Sequence, residues 1–118
     1  MNLQQLLQPH IGDKQICFGE VEGFPAVYSY GPHYPIAIAE DDMFWLNEDQ
    51  YILPSGKKSP TTTGHRNLVQ RVLAAAGYRP SAETTTYPAT GYTYRRWRKE
   101  IHSLSDLDIE RQNAEVAS

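Results

Sequence analysis

Two stretches of this chain hold the side chains best suited to chemistry. The first is Tyr92, Tyr94, Arg95, Arg96, Trp97 and Arg98, where aromatic rings interleave with guanidinium groups. Aromatic faces stack on unpaired bases while cations track phosphates, so the mixture suits single-stranded nucleic acid. The same residue types dominate the buried centres of protein interfaces. A third arrangement fits equally: Tyr94 and Trp97 anchored in a core, with the arginine stems lying over them.

The second stretch runs Thr61-Thr62-Thr63-Gly64-His65-Arg66, just after Lys57-Lys58. Three hydroxyls, a histidine and an arginine at a helix start could hold a phosphate or carboxylate. Free N–H groups point outward there, and the helix dipole favours an anion. Thr62, Thr63, His65 and Arg66, with Lys57 and Lys58, form this candidate anion site. The same threonines also serve as ordinary helix caps.

Other reactive groups are scattered. The four histidines, His10, His33, His65 and His102, show no two-histidine metal spacing on a helix. There is no nucleophile elbow, no glycine-rich phosphate loop and no carboxylate pair at helical spacing. The expectation is a non-enzymatic chain with no metal and no cofactor. A Cys17–His or Ser–His pair assembled in space stays open, since such pairs need no sequence proximity.

The elements that would position these groups can be read from periodicity. Leu68, Val69, Val72, Leu73, Ala75 and Ala76 recur at helical spacing, and Gly77 follows as a stop. This predicts one amphipathic helix over about 65–76 that needs a platform to bury its stripe. Residues 14–20, 24–30, 35–40 and 43–47 read as four short strands. Glu22-Gly23 and Glu40-Asp41-Asp42 form the turns between pairs of them. Leu3, Leu6 and Leu7 suggest a short helix that Pro9 ends.

Residues 78–91, rich in Thr, Pro and Ser, read as loop or irregular edge strand. Residues 92–99 are ambiguous and lean to helix, because Tyr94, Trp97, Ile101 and Leu104 fall at 3-4-3 spacing. A last acidic helix would start at Ser103 or Ser105 and end near Asn113, with 114–118 a frayed tail. The expected fold is α+β: a small antiparallel sheet of about four strands, the 65–76 helix on one face, and a helical C-terminal segment.

At 118 residues the chain reads as one domain, 1–118. One cysteine excludes an internal disulfide and suits a reducing, cytoplasmic home. Residues 1–8 lack a basic region and a long apolar run, so neither a secretion signal nor a membrane span is expected. The net charge of −3 hides blocks: residues 1–56 hold one Lys/Arg against eight Asp/Glu, 57–99 nine against one, and 100–118 one against five. A basic middle of this kind suits a nucleic-acid surface. It equally suits segments of opposite sign lying against each other. The acidic turns 40–42 and 48–49 could meet a basic partner.

Tyr28-Ser29-Tyr30-Gly31, followed by Pro35-Ile36-Ala37 and then Ser59-Pro60-Thr61-Thr62-Thr63-Gly64-His65, resembles a pattern in small uncharacterised proteins of phages and plasmids. The resemblance spans about residues 24–76. It departs at Lys58, where a tyrosine usually precedes the serine, and in a longer 52–58 loop. It carries no activity. It implies a mobile-element setting, in which small acidic proteins often bind and block a larger host machine. Two functions are therefore expected. One is a phage or mobile-element interaction protein that binds, and possibly inhibits, a host protein complex, as an anti-CRISPR does. The alternative is a small single-stranded nucleic-acid-binding module using residues 57–99. A homodimer through a strand edge is compatible with either.

Overall fold

The structure, a computed structural model, describes residues 2–99. Its elements are α1 (Leu3–Ile11), β1 (Ile16–Val21), β2 (Phe24–Ser29), β3 (Pro35–Glu40), β4 (Met43–Asn47), α2 (Pro60–Ala75), β5 (Tyr78–Thr86) and β6 (Thr93–Lys99). The strands form one antiparallel sheet in the order β1-β2-β3-β4-β6-β5. After β4 the chain leaves the sheet to build α2, returns at the far edge as β5, and turns back so that β6 fills the gap beside β4.

This corrects the expected four strands and one helix to six strands and two helices. Residues 92–99 are strand rather than helix. Tyr94 and Trp97 are three residues apart, so in a strand they face opposite sides. That is favourable only where both faces carry an apolar cluster, and at β6 Trp97 joins the helix-side cluster while Tyr94 joins the one on the opposite face. Residues 78–86 are strand despite Pro80, which an edge strand tolerates because it needs fewer N–H donors. The expected C-terminal helix and the 114–118 tail lie outside the described residues.

The first four strands fall close to where alternation put them. Glu22 and Gly23 close the β1–β2 hairpin with φ of 51° and 87°, the positive-φ turn that matches strand twist. In β3 a bulge leaves Ile36 without a partner, and Ile36 and Ala37 both join the helix-side core.

α1 opens with a capping box: the Asn2 side chain accepts from the Gln5 N–H, and Gln5 returns the bond to the Asn2 N–H. Pro9 does not end it. Burial of Ile11 in the core carries the helix two residues past the missing N–H. α2 starts earlier than the apolar period suggested. Ser59 is its N-cap, accepting from the Thr62 N–H, and Pro60 takes the first helical position. The threonines thus lie inside the first turn. Gly77 follows at φ 97°, after which β5 begins.

Both helices lie on one face. Leu3, Leu7, Ile11, Val69, Val72 and Leu73 pack with Val27, Ala37, Phe44, Leu46 and Trp97 of the sheet. Each such apolar side chain contributes about 1.5–3 kcal/mol on burial, which fixes a helix that is marginal by itself. The other face carries a second cluster: Val21, Ala26, Ile38, Trp45, Tyr87 and Tyr94. No described helix covers it. Tyr87 packs edge-on against Tyr94 at 5.3 Å instead, and Glu40 accepts from the Trp45 indole (2.9 Å) and the Tyr87 hydroxyl (3.3 Å). No helix among the described residues is long and apolar enough to cross a membrane.

Candidate functional site

The alternation of β6 separates the aromatic–arginine stretch onto two faces. Trp97, 6 % exposed, sits in the helix-side core, while Tyr94, fully buried, belongs to the opposite cluster. Burial pushes the Tyr94 hydroxyl up to about 12, and it hydrogen-bonds Thr90. Tyr92 is half-buried, donates to the His33 carbonyl and packs edge-on against Tyr34. None of these three rings presents a stacking platform. The third arrangement read from the sequence, core anchors with arginines around them, is the observed one.

The arginines differ in how far they are answered. Arg95 donates to Glu48 at 3.0 Å and to the Ser81 carbonyl at 2.9 Å. Arg96 donates to Glu83 at 2.5 Å, while its buried Nε has no partner among the described residues. Arg98 is exposed and makes no ion pair or hydrogen bond among the described residues. The cationic ends of Arg79 and Lys99 reach the last carbonyls of α2, Ala74 (2.9 Å) and Ala76 (2.7 Å). The last turn of α2 has no basic residue of its own, so these cations satisfy its free carbonyls from outside.

The start of α2 does not gather the six residues of the candidate anion site. Thr62 and His65 turn inward. Ser29, fully buried on β2, lies 3.1 Å from the Thr62 hydroxyl and 2.8 Å from His65 Nδ1. A serine–histidine pair therefore exists, but it is sealed from any substrate. It ties β2 to α2. Burial, with Lys14 nearby, holds the His65 imidazole below its ordinary range. Over it lies the exposed Tyr30, a non-glycine residue at φ 68°, with its ring 5.6 Å from that of His65.

Thr63 and Arg66, and Thr62 with them, also line a cavity of about 140 Å³ together with Glu48 and Asp49. Arg66 donates to the Asn47 carbonyl at 2.8 Å, to Gln70, and to Glu48 at 3.4 Å. An anion there would meet two carboxylates and an arginine already engaged. Lys57 and Lys58 sit apart on the exposed 52–58 loop. Among the described residues no three His, Cys, Asp or Glu side chains are grouped to hold a metal. Cys17 is exposed, and its thiol donates to the Tyr30 carbonyl.

A wider concavity lies elsewhere, at the end of the sheet where β4, β6 and β5 meet. This groove of about 960 Å³ is lined by Asp41, Asp42, Met43, Tyr78, Arg79, Pro80, Ser81, Arg96, Arg98 and Lys99. In cross-strand register Arg98 stands between Met43 of β4 and Arg79 of β5. The Arg79 guanidinium is turned to the Ala74 carbonyl at the end of α2, while Arg98 stays exposed. Arg96 and Arg98 were candidates from sequence. Asp41 and Asp42 belong to the acidic turn expected to meet a basic partner, whereas Tyr78, Arg79 and Lys99 are not candidates, because only the return of β5 to the far edge brings them together. The signal available was the +2 spacing of Arg96 and Arg98 on a strand.

Comparison with known proteins returned no matching family model, no matching curated protein and no matching solved structure.

Proposed function

We propose that this chain is a non-enzymatic binding module that recognises a partner protein through the groove between the β3–β4 turn and β5–β6. One observation carries the reading: Arg98 stands exposed in the groove, opposite Arg79, without a counter-charge among the described residues. A guanidinium with no ion pair keeps its full capacity for a carboxylate, so a partner can gain from it without displacing an existing contact. Asp41 and Asp42 in the same wall favour a polypeptide, which can vary its charge from residue to residue, over a continuous phosphate backbone. A phage or mobile-element setting, and inhibition of a host complex, rest on the resemblance over residues 24–76 alone. A homodimer through the β1 or β5 edge is compatible with this use of the groove.

The test is capture from cell extracts with the purified chain and with Arg98→Glu, alongside titration of labelled single- and double-stranded nucleic acids over a salt series. The expected result is a protein retained by the native chain and lost by Arg98→Glu, with thermal unfolding unchanged. Micromolar nucleic-acid binding that weakens steeply with salt and requires Arg98 would replace this reading with the single-stranded nucleic-acid module. A partner retained equally by Arg98→Glu would move the site away from the groove.

A further inference from the structure

Resting on the protein-binding reading, we propose that the groove docks an extended acidic segment of the partner protein, with carboxylates two residues apart. Arg96 and Arg98 are two residues apart on one strand and both line the groove. They therefore project on the same side, roughly 6.6–6.8 Å apart along the strand. An extended polypeptide repeats its same-side side chains at that interval. Carboxylates at alternate positions of such a segment would meet both guanidinium groups at once. Adjacent carboxylates would not, because one would point away.

The two arginines are prepared for this in different ways. Arg96 is held by Glu83 through Nη1, which fixes its guanidinium plane, and its buried Nε has no partner among the described residues. Little freedom is lost when a carboxylate joins it. Arg98 is exposed and has no partner among the described residues. A planar guanidinium accepts a carboxylate in two-point fashion, which gives the pairing direction as well as strength. Asp41 and Asp42 border the Arg98 end through Met43, its cross-strand neighbour. The segment would place an uncharged or basic residue there.

The experiment titrates the full chain with two fluorescent nine-residue peptides of identical composition, one with two acids at alternate positions and one with the same two acids adjacent. The sequence beyond Lys99 itself carries this alternation at Asp106, Asp108 and Glu110. A chain with Asp106→Asn, Asp108→Asn and Glu110→Gln is therefore titrated in parallel. The alternating peptide is expected to bind at least about tenfold tighter than the adjacent one, and Arg96→Gln or Arg98→Gln is expected to erase that preference. Binding seen only with the triple variant also supports the groove chemistry, with the chain's own acids as competitor. Equal affinity for the two peptides, or no binding by either chain, overturns the proposal. If Arg98-dependent protein capture persists while the peptides fail, the protein-binding reading stands and the acidic-strand partner does not.

Discussion

Replacing Trp97 decides whether the aromatic–arginine strand belongs to the core or to a surface. Trp97 packs in the helix-side cluster with Phe44, Leu46, Val72 and Leu73, and pairs across strands with Phe44 and Pro80. Truncating a buried tryptophan to alanine typically costs about 3–5 kcal/mol. Its indole N–H is buried with no hydrogen-bond partner among the described residues, a defect worth roughly 1–3 kcal/mol that alanine also removes. The expected loss for Trp97→Ala is therefore about 3 kcal/mol, at the lower end of that range. Trp97→Phe removes the same N–H and keeps most of the ring, so the two effects offset and the change should stay within about 1 kcal/mol. Urea unfolding followed by far-ultraviolet circular dichroism measures both, with an unchanged slope confirming that stability alone has moved. A domain of this size has only about 5–15 kcal/mol in total, so the alanine variant should be visibly weakened. If Trp97→Ala unfolds at the native midpoint, the core placement is wrong. Loss of partner binding at the same time would put Trp97 on the interface instead.

Two further outcomes follow from the charge layout. His65 is held below its ordinary range by burial first and Lys14 second, so the unfolded chain binds a proton more readily than the folded one. Its contribution is complete above the unfolded value of about 6.5 and is lost as pH falls from there toward the depressed folded value. Urea midpoints of the native chain should therefore drop between pH 7 and 5 more than those of His65→Gln, and Lys14→Gln should narrow the difference. Equal slopes for native and His65→Gln would refute the assignment. The joint variant Glu48→Gln with Glu83→Gln releases Arg66, Arg95 and Arg96 from their carboxylates. These pairs are partly exposed, so each should cost no more than about 1 kcal/mol, whereas affinity for a labelled single-stranded oligonucleotide at low salt should rise. No rise would show that the carboxylates do not mask this surface.

The first half of the sheet was legible because its strands are local. Each hairpin closes through turn residues whose conformations the sequence announces, such as Glu22-Gly23, and Asp41 adopts the same positive φ, 54°. The α2 stripe was legible in its apolar part only. The two residues that extend it toward the N-terminus, Thr62 and His65, are polar and buried because Ser29 lies opposite them. Hydropathy has no term for a polar side chain whose partner is thirty-six residues away in the chain. For a related reason the sequence leaves β5 open between loop and irregular edge strand, and leaves β6 ambiguous with a lean to helix. Pro80 and the Thr84-Thr85-Thr86 run make a strand only because β6 supplies the hydrogen bonds, and β6 is stable only between β4 and β5.

The candidate site was half legible on the same grounds. Read as a helix, Arg95, Arg96 and Arg98 spread around a cylinder and share no task. Read as a strand, Arg95 points with Trp97 toward the helices and is answered by Glu48, while Arg96 and Arg98 face the groove together. The block of positive charge in 57–99 therefore divides by strand parity, not by composition. One part, Arg66 and Arg95, answers Glu48 of the first half, and another caps α2 through Arg79 and Lys99. Lys57, Lys58 and Arg71 stand exposed elsewhere on the surface, and what is left on β6 is Arg98 with a half-satisfied Arg96 beside it. That remainder is where a ligand gains most, since every other described arginine of β6 would have to give up an existing partner to bind one.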